Sequence, residues 1–60
     1  MTPTEFKDIR SRAGLSQSQL ARLLRVAGAR IVRKWELGER EISGPVSLLM
    51  EMLDRGELHS

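Results

Sequence analysis

Residues 21–40 read ARLLRVAGARIVRKWELGER. Two apolar patches are separated by Val26-Ala27-Gly28-Ala29, and the second patch carries Arg30, Arg33 and Lys34 before it ends in Trp35-Glu36. From Arg22 to Lys34 the segment holds five basic residues and no acid. Leu20, Leu23 and Leu24 recur at helical spacing, with Ala21 allowing close approach. Val32 and Trp35 are three apart and point inward, flanked by Ile31. Gly38 then ends the run. The stretch therefore predicts a helix, a tight glycine-containing turn and a second helix. On that second helix Ala29, Arg30, Arg33 and Lys34 lie largely away from the Val32–Trp35 side.

Punctuation on either side supplies the other elements. Ser16-Gln17-Ser18-Gln19 is a capping box and opens the helix that carries Leu20. Thr2-Pro3-Thr4-Glu5 is another, with Pro3 suited to a first helical position. Phe6, Ile9 and Ala13 follow it, and Gly14 can take a left-handed position at the end. The third helix should begin near Gly28 or Ala29 and run to Glu36 or Leu37. Ser43-Gly44-Pro45 opens a fourth, which runs to about Arg55 before Gly56. Strand signals are weak, because the β-branched residues never alternate with polar ones over a useful length. The fold class expected is all-α: a compact domain of four helices, five at most, over residues 1–60.

Six of the eight positions 46–53 are apolar (Val46, Leu48, Leu49, Met50, Met52, Leu53). A helix apolar nearly all round is buried on more than one side. One side faces the core. The other faces a second chain, with Val46, Met50 and Leu53 as the expected interface, or else it is a broader core contact with some exposed apolar surface.

Composition narrows the function classes. A chain of 60 residues buries only roughly 60% of the surface it exposes when unfolded, so its stability is marginal without help. There is no cysteine, which excludes disulfides and thiolate metal sites. The single histidine, His59, lies beside the C-terminus and is not read as a metal ligand. No cofactor is expected. No run of apolar residues is long enough for a membrane span, and a cytoplasmic location is expected. The net charge of +2 hides an asymmetry: residues 1–40 carry nine Lys or Arg against four acids, whereas residues 41–60 carry Arg55 against four acids. A one-signed segment on an otherwise mixed chain suggests an anionic partner.

Two short helices joined by a tight turn form the helix-turn-helix outline. The DNA major groove, about 12 Å wide, admits one helix. That helix needs an apolar face to hold it on its domain and basic or amide side chains on the other. Val32 and Trp35 suit the first task; Arg30, Arg33 and Lys34 suit the second. Arg can bridge two acceptors on guanine, and Lys can contact guanine or phosphate.

Leu15-Ser16-Gln17-Ser18-Gln19-Leu20-Ala21-Arg22-Leu23-Leu24, then Val26, Val32-Arg33-Lys34-Trp35-Glu36-Leu37-Gly38-Glu39-Arg40 and Gly44-Pro45, resemble the lambda-repressor-like, Cro-type helix-turn-helix family. The resemblance spans about half the chain. It implies an all-α domain that binds a palindromic double-stranded DNA operator as a homodimer. It also implies roles. Ser16 caps the scaffold helix, and Gln17 touches phosphate and buttresses the reading helix, or is only a helix former near the cap. Ala29, Arg30, Arg33 and Lys34 match base-reading or groove-facing positions, Ala29 through its methyl group alone. Arg40 matches a position that meets the DNA backbone. With Lys7, Arg12, Gln17 and Arg22 it completes the set of phosphate candidates. Arg22 and Arg25 are read as solvated or as weak phosphate contacts rather than base readers. Glu36 is a solvated charge or, as the family pattern suggests, the partner of Arg10 in an ion pair between the first and third helices. Trp35 is read as a core anchor rather than a stacking platform.

Two departures from the family pattern stand out. Arg25 occupies the position after the scaffold helix where the family usually has glycine, and the turn is one residue longer. Gly28 is expected to supply the positive φ that Arg25 does not readily adopt. Gly28 also falls where the family often has a serine or threonine cap.

The function expected is that of a sequence-specific transcriptional regulator, a repressor that occupies its operator. The alternative is an antitoxin-type module that sequesters a partner protein and autoregulates its operon. Enzymatic activity is not expected: the chain has no Cys and no Tyr, and neither its serines nor its C-terminal carboxylates stand in an acid/base or nucleophile arrangement.

Overall fold

Reciprocal hydrogen bonds decide where the first two helices begin. In the computed structural model, which describes residues 1–58, the Glu5 N–H donates to Thr2 Oγ1 at 3.1 Å while the Thr2 N–H donates to Glu5 Oε1 at 3.0 Å. Helix α1, Pro3–Arg12, follows with Pro3 in its first turn, where no N–H is required. Ser16 and Gln19 repeat the arrangement at 3.0 and 2.8 Å and open α2, Gln17–Leu24. Helix α3, Ala29–Leu37, starts from Gly28 without a side-chain cap. Ser43 caps α4, Gly44–Asp54, by accepting from the Val46 N–H at 3.4 Å. Among the described residues the architecture is all-helical, with no strand. His59, set aside as a metal ligand on sequence grounds, lies outside the described residues with Ser60.

The turn between α2 and α3 differs from the sequence reading. Arg25 itself is left-handed (φ 61°, ψ 38°), whereas Gly28 is extended (φ 160°, ψ −174°). The reason lies in how a helix closes. The N–H groups of Arg25 and Val26 turn back onto the carbonyls of Arg22 (3.3 Å) and Ala21 (3.0 Å), and this requires the left-handed residue directly after Leu24. Gly28 is three positions too late to close α2, and it serves as the non-helical residue from which α3 starts.

One apolar cluster draws on all four helices: Phe6 and Ile9 from α1, Leu20, Ala21 and Leu24 from α2, Val32 and Trp35 from α3, and Met50 from α4. Phe6, Leu20, Val32 and Met50 are wholly enclosed, and each such burial is worth about 1.5–3 kcal/mol. The rings of Phe6 and Trp35 meet at 5.5 Å and 54°, a favourable tilted contact.

Helix α4 corrects the expected interface at Met50. Met50 is 0% exposed and anchors α4 in the core, so it offers no surface to a second chain. Val46, Leu49 and Leu53 are half-buried against the same cluster. They share one side of the helix with Met50 through three- and four-residue steps. Leu48 falls on the other side and is 55% exposed. The apolar surplus of α4 thus divides into a broad core contact, one outward leucine and Met52, which is half-buried but not packed against that cluster. Among the described residues no helix is long and apolar enough to cross a membrane.

Candidate nucleic-acid interface

Helix α3 is held from both ends of the sequence that precedes it. Along its inner side Val32 and Trp35 enter the core while Ile31 packs at its edge. Near its C-terminus Glu36 receives a fork of hydrogen bonds: Arg10 Nε donates to Oε2 at 2.5 Å and Arg10 Nη2 to Oε1 at 3.2 Å. Gln17 Nε2 donates to the same Oε1 at 3.1 Å, and Arg10 Nη1 donates to the Leu15 carbonyl at 2.9 Å. The Glu36 side chain is 5% exposed and that of Arg10 15%. A bidentate, sheltered pair of this kind fixes orientation as well as adding energy. It ties the end of α3 to α1 and to the first turn of α2. Glu36 is therefore no solvated charge, and Gln17 braces α3 as its position suggested.

The opposite side of α3 is exposed and cationic. Arg30, Arg33 and Lys34 are exposed, and Ala29 is half-buried at the first turn. Arg30, Lys34 and Arg40 converge on one groove of about 370 Å³, completed by Ala27, Gly28 and Ile31. The loop after α3 thus brings Arg40 beside residues of the helix itself. Arg33 does not line this groove. Among the described residues the ion pairs are Arg10–Glu36, Arg12–Asp54 and Arg55–Glu57. None of them neutralises Arg30, Arg33, Lys34 or Arg40.

Local electrostatics work against α3 as an isolated helix. Its first turn holds no acid and places Arg30 near the positive end of the helix dipole. Arg30 and Lys34 stand four apart, Arg30 and Arg33 three apart, so like charges are neighbours. Each such term opposes helix formation by a few tenths of a kcal/mol. Packing of Val32 and Trp35 outweighs them.

The remaining candidates are dispersed. Arg22 is exposed on α2 and Lys7 on α1. Arg12 donates to Asp54 at 3.0 Å and lines a different cavity, of about 430 Å³, with Glu5, Asp8, Glu51 and Asp54. That acidic setting separates Arg12 from the groove beside α3. Sequence reasoning did not foresee the left-handed Arg25. Its clue was the absence of glycine at the one position where closure of α2 needs it. The described residues hold no group of three or more His, Asp or Glu placed to bind a metal ion. No family model matches the chain, and no curated protein or solved structure matches it either.

Proposed function

We propose that the chain is a sequence-specific regulator of the lambda-repressor-like, Cro-type class, which binds double-stranded DNA through α3 and represses by occupying a palindromic operator as a homodimer. One observation carries this reading. Helix α3 is seated on the core by Val32 and Trp35 and braced by Arg10, Gln17 and Glu36, while its exposed side holds cations that no acid among the described residues neutralises. Placing Arg30 at the positive end of the helix, with Arg33 and Lys34 as like-charged neighbours three and four residues on, opposes stability and suits a polyanion.

The dimensions set the stoichiometry that a palindrome would require. The body measures 27 × 20 × 19 Å, whereas adjacent half-sites lie about 34 Å apart. One copy is too short to enter two successive major grooves, so a palindrome needs two. At nine residues, α3 is about 13.5 Å long and fits one groove.

In this scheme Arg30 reads bases, Arg33 and Lys34 read bases or hold phosphate, and Ala29 offers a methyl group. Arg40, Gln17, Arg22 and Lys7 contact the backbone, and Arg12 does so only by leaving Asp54. Selection of bound duplexes from a random pool tests the proposal. The expected outcome is a palindromic consensus with half-sites about one helical turn apart. A pool that emerges without sequence preference overturns it. Arg30→Ala should weaken binding to the selected site by about 1–3 kcal/mol and binding to random duplex far less. Equal losses on both duplexes would remove Arg30 from base reading.

A further inference from the structure

All four helices close in the same way. An N–H two or three residues beyond the helix returns to a carbonyl in its last turn: Leu15 to Arg10, Val26 to Ala21, Glu39 to Lys34 and Glu57 to Met52, at 2.8–3.2 Å. The residue at the bend is left-handed each time. Three of the four are glycines, Gly14, Gly38 and Gly56, at φ 73–75°. The fourth is Arg25, at φ 61°. It is the one non-glycine residue with positive φ among the described residues.

A side chain at this φ crowds the following carbonyl, and glycine avoids the crowding. No side-chain contact among the described residues compensates Arg25. Its side chain is exposed and makes no hydrogen bond or ion pair among the described residues. The apolar contact of the turn is made by Val26, not by Arg25. Closure of α2 needs the left-handed backbone but not an arginine side chain on it, and a costly side chain that the fold does not use points to use by a ligand.

Its surroundings indicate which ligand. Arg25 follows unpaired Arg22 by three residues and precedes the groove formed by Ala27, Gly28, Arg30 and Lys34. We infer that Arg25 carries a strained backbone in order to place a guanidinium against a DNA phosphate next to the entry of α3, a contact that rests on the DNA-binding reading above. Retaining arginine there trades fold stability for affinity that does not depend on sequence.

The test compares Arg25→Gly, Arg25→Lys and Arg25→Gln in the full chain. The readouts are thermal midpoint by circular dichroism and affinity for a random-sequence 30-base-pair duplex across a salt series. Arg25→Gly should melt about 5 °C higher and bind more weakly, with the slope of log K against log salt reduced in magnitude by about 0.9, the worth of one phosphate. Arg25→Lys should keep the wild-type slope. Arg25→Gln, which retains the strain without the charge, should melt like wild type and lose the same slope as the glycine variant. Wild-type slopes in both Arg25→Gly and Arg25→Gln would overturn this inference while leaving the DNA reading intact. A wild-type chain that binds no duplex would overturn both.

Discussion

Glu36 receives donors from two helices through a single carboxylate. Removing it leaves Arg10, a largely sheltered cation, with only the Leu15 carbonyl. Loss of one partner from a buried pair costs about 3–5 kcal/mol; with Arg10 partly open to water, Glu36→Ala should cost about 2–3 kcal/mol. A urea titration reads this directly. A double-mutant cycle with Arg10→Ala should return a coupling of about 1 kcal/mol or more, and additivity would show the pair to be independent. The carboxyl of Glu5 behaves differently. Hydrogen bonds from Thr2, backbone first and then side chain, hold its pKa below the ordinary 4.5. A depressed carboxylate stabilises the fold above its unfolded value and loses that effect as pH falls through the folded one. Thermal midpoints of wild type and Glu5→Gln should therefore differ at pH 7 and draw together as the pH falls below the ordinary 4.5 and through the lowered folded value. At Trp35 the buried indole N–H finds no acceptor among the described residues. Trp35→Phe removes an unsatisfied donor together with some volume, and the two effects oppose each other. It should cost far less than Trp35→Ala, for which about 3–5 kcal/mol is expected.

Helix boundaries were legible in the sequence because caps are local chemistry. Thr2–Glu5, Ser16–Gln19 and Ser43 each satisfy N–H groups within three residues, so the pattern needs no knowledge of the fold. The inward side of α3 was legible for the same reason, since Val32 and Trp35 are one turn apart. Two features were not. Left-handed geometry at Arg25 is imposed by closure of α2 and runs against residue preference, so propensity pointed to Gly28 instead. In α4 six apolar residues gave no way to tell core from surface; the choice of Met50 over Leu48 depends on where α1, α2 and α3 leave space. Gly28 offers a check at this scale. Its extended backbone suits any residue, and an added Cβ meets nothing within 4 Å. Gly28→Ser should supply the missing cap of α3 and raise stability by a few tenths of a kcal/mol. Gly28→Asp should stabilise similarly while weakening duplex binding, because it sets an anion in the groove with Arg30, Lys34 and Arg40. Parallel losses of stability and binding would contradict that separation of roles.

Across the whole molecule, cationic and acidic surfaces are set apart. The cationic groove beside α3 and the acidic cavity between α1 and α4 have different linings with no residue in common. The candidate reading helix and the outward Leu48 lie on separate elements. A dimer through α4 leaves α3 available, and Leu48 is the residue to probe. Leu53→Glu would place a charge against the core, whereas Leu48→Glu should leave the monomer's unfolding transition unchanged within about 0.5 kcal/mol. Sedimentation of Leu48→Glu should show monomers, with weaker binding to a two-half-site duplex and little change on one half-site. An unchanged dimer would remove Leu48 from the interface.

The position of Trp35 has a practical consequence. It is the sole tryptophan, the chain has no tyrosine, and the indole is enclosed beside Phe6 under the exposed face of α3. Intrinsic fluorescence therefore reports on the seating of one helix without any label. Emission that stays blue-shifted on adding duplex would mean that α3 docks as a rigid body. A red shift before the global transition would mean that the helix lifts from the core in order to bind.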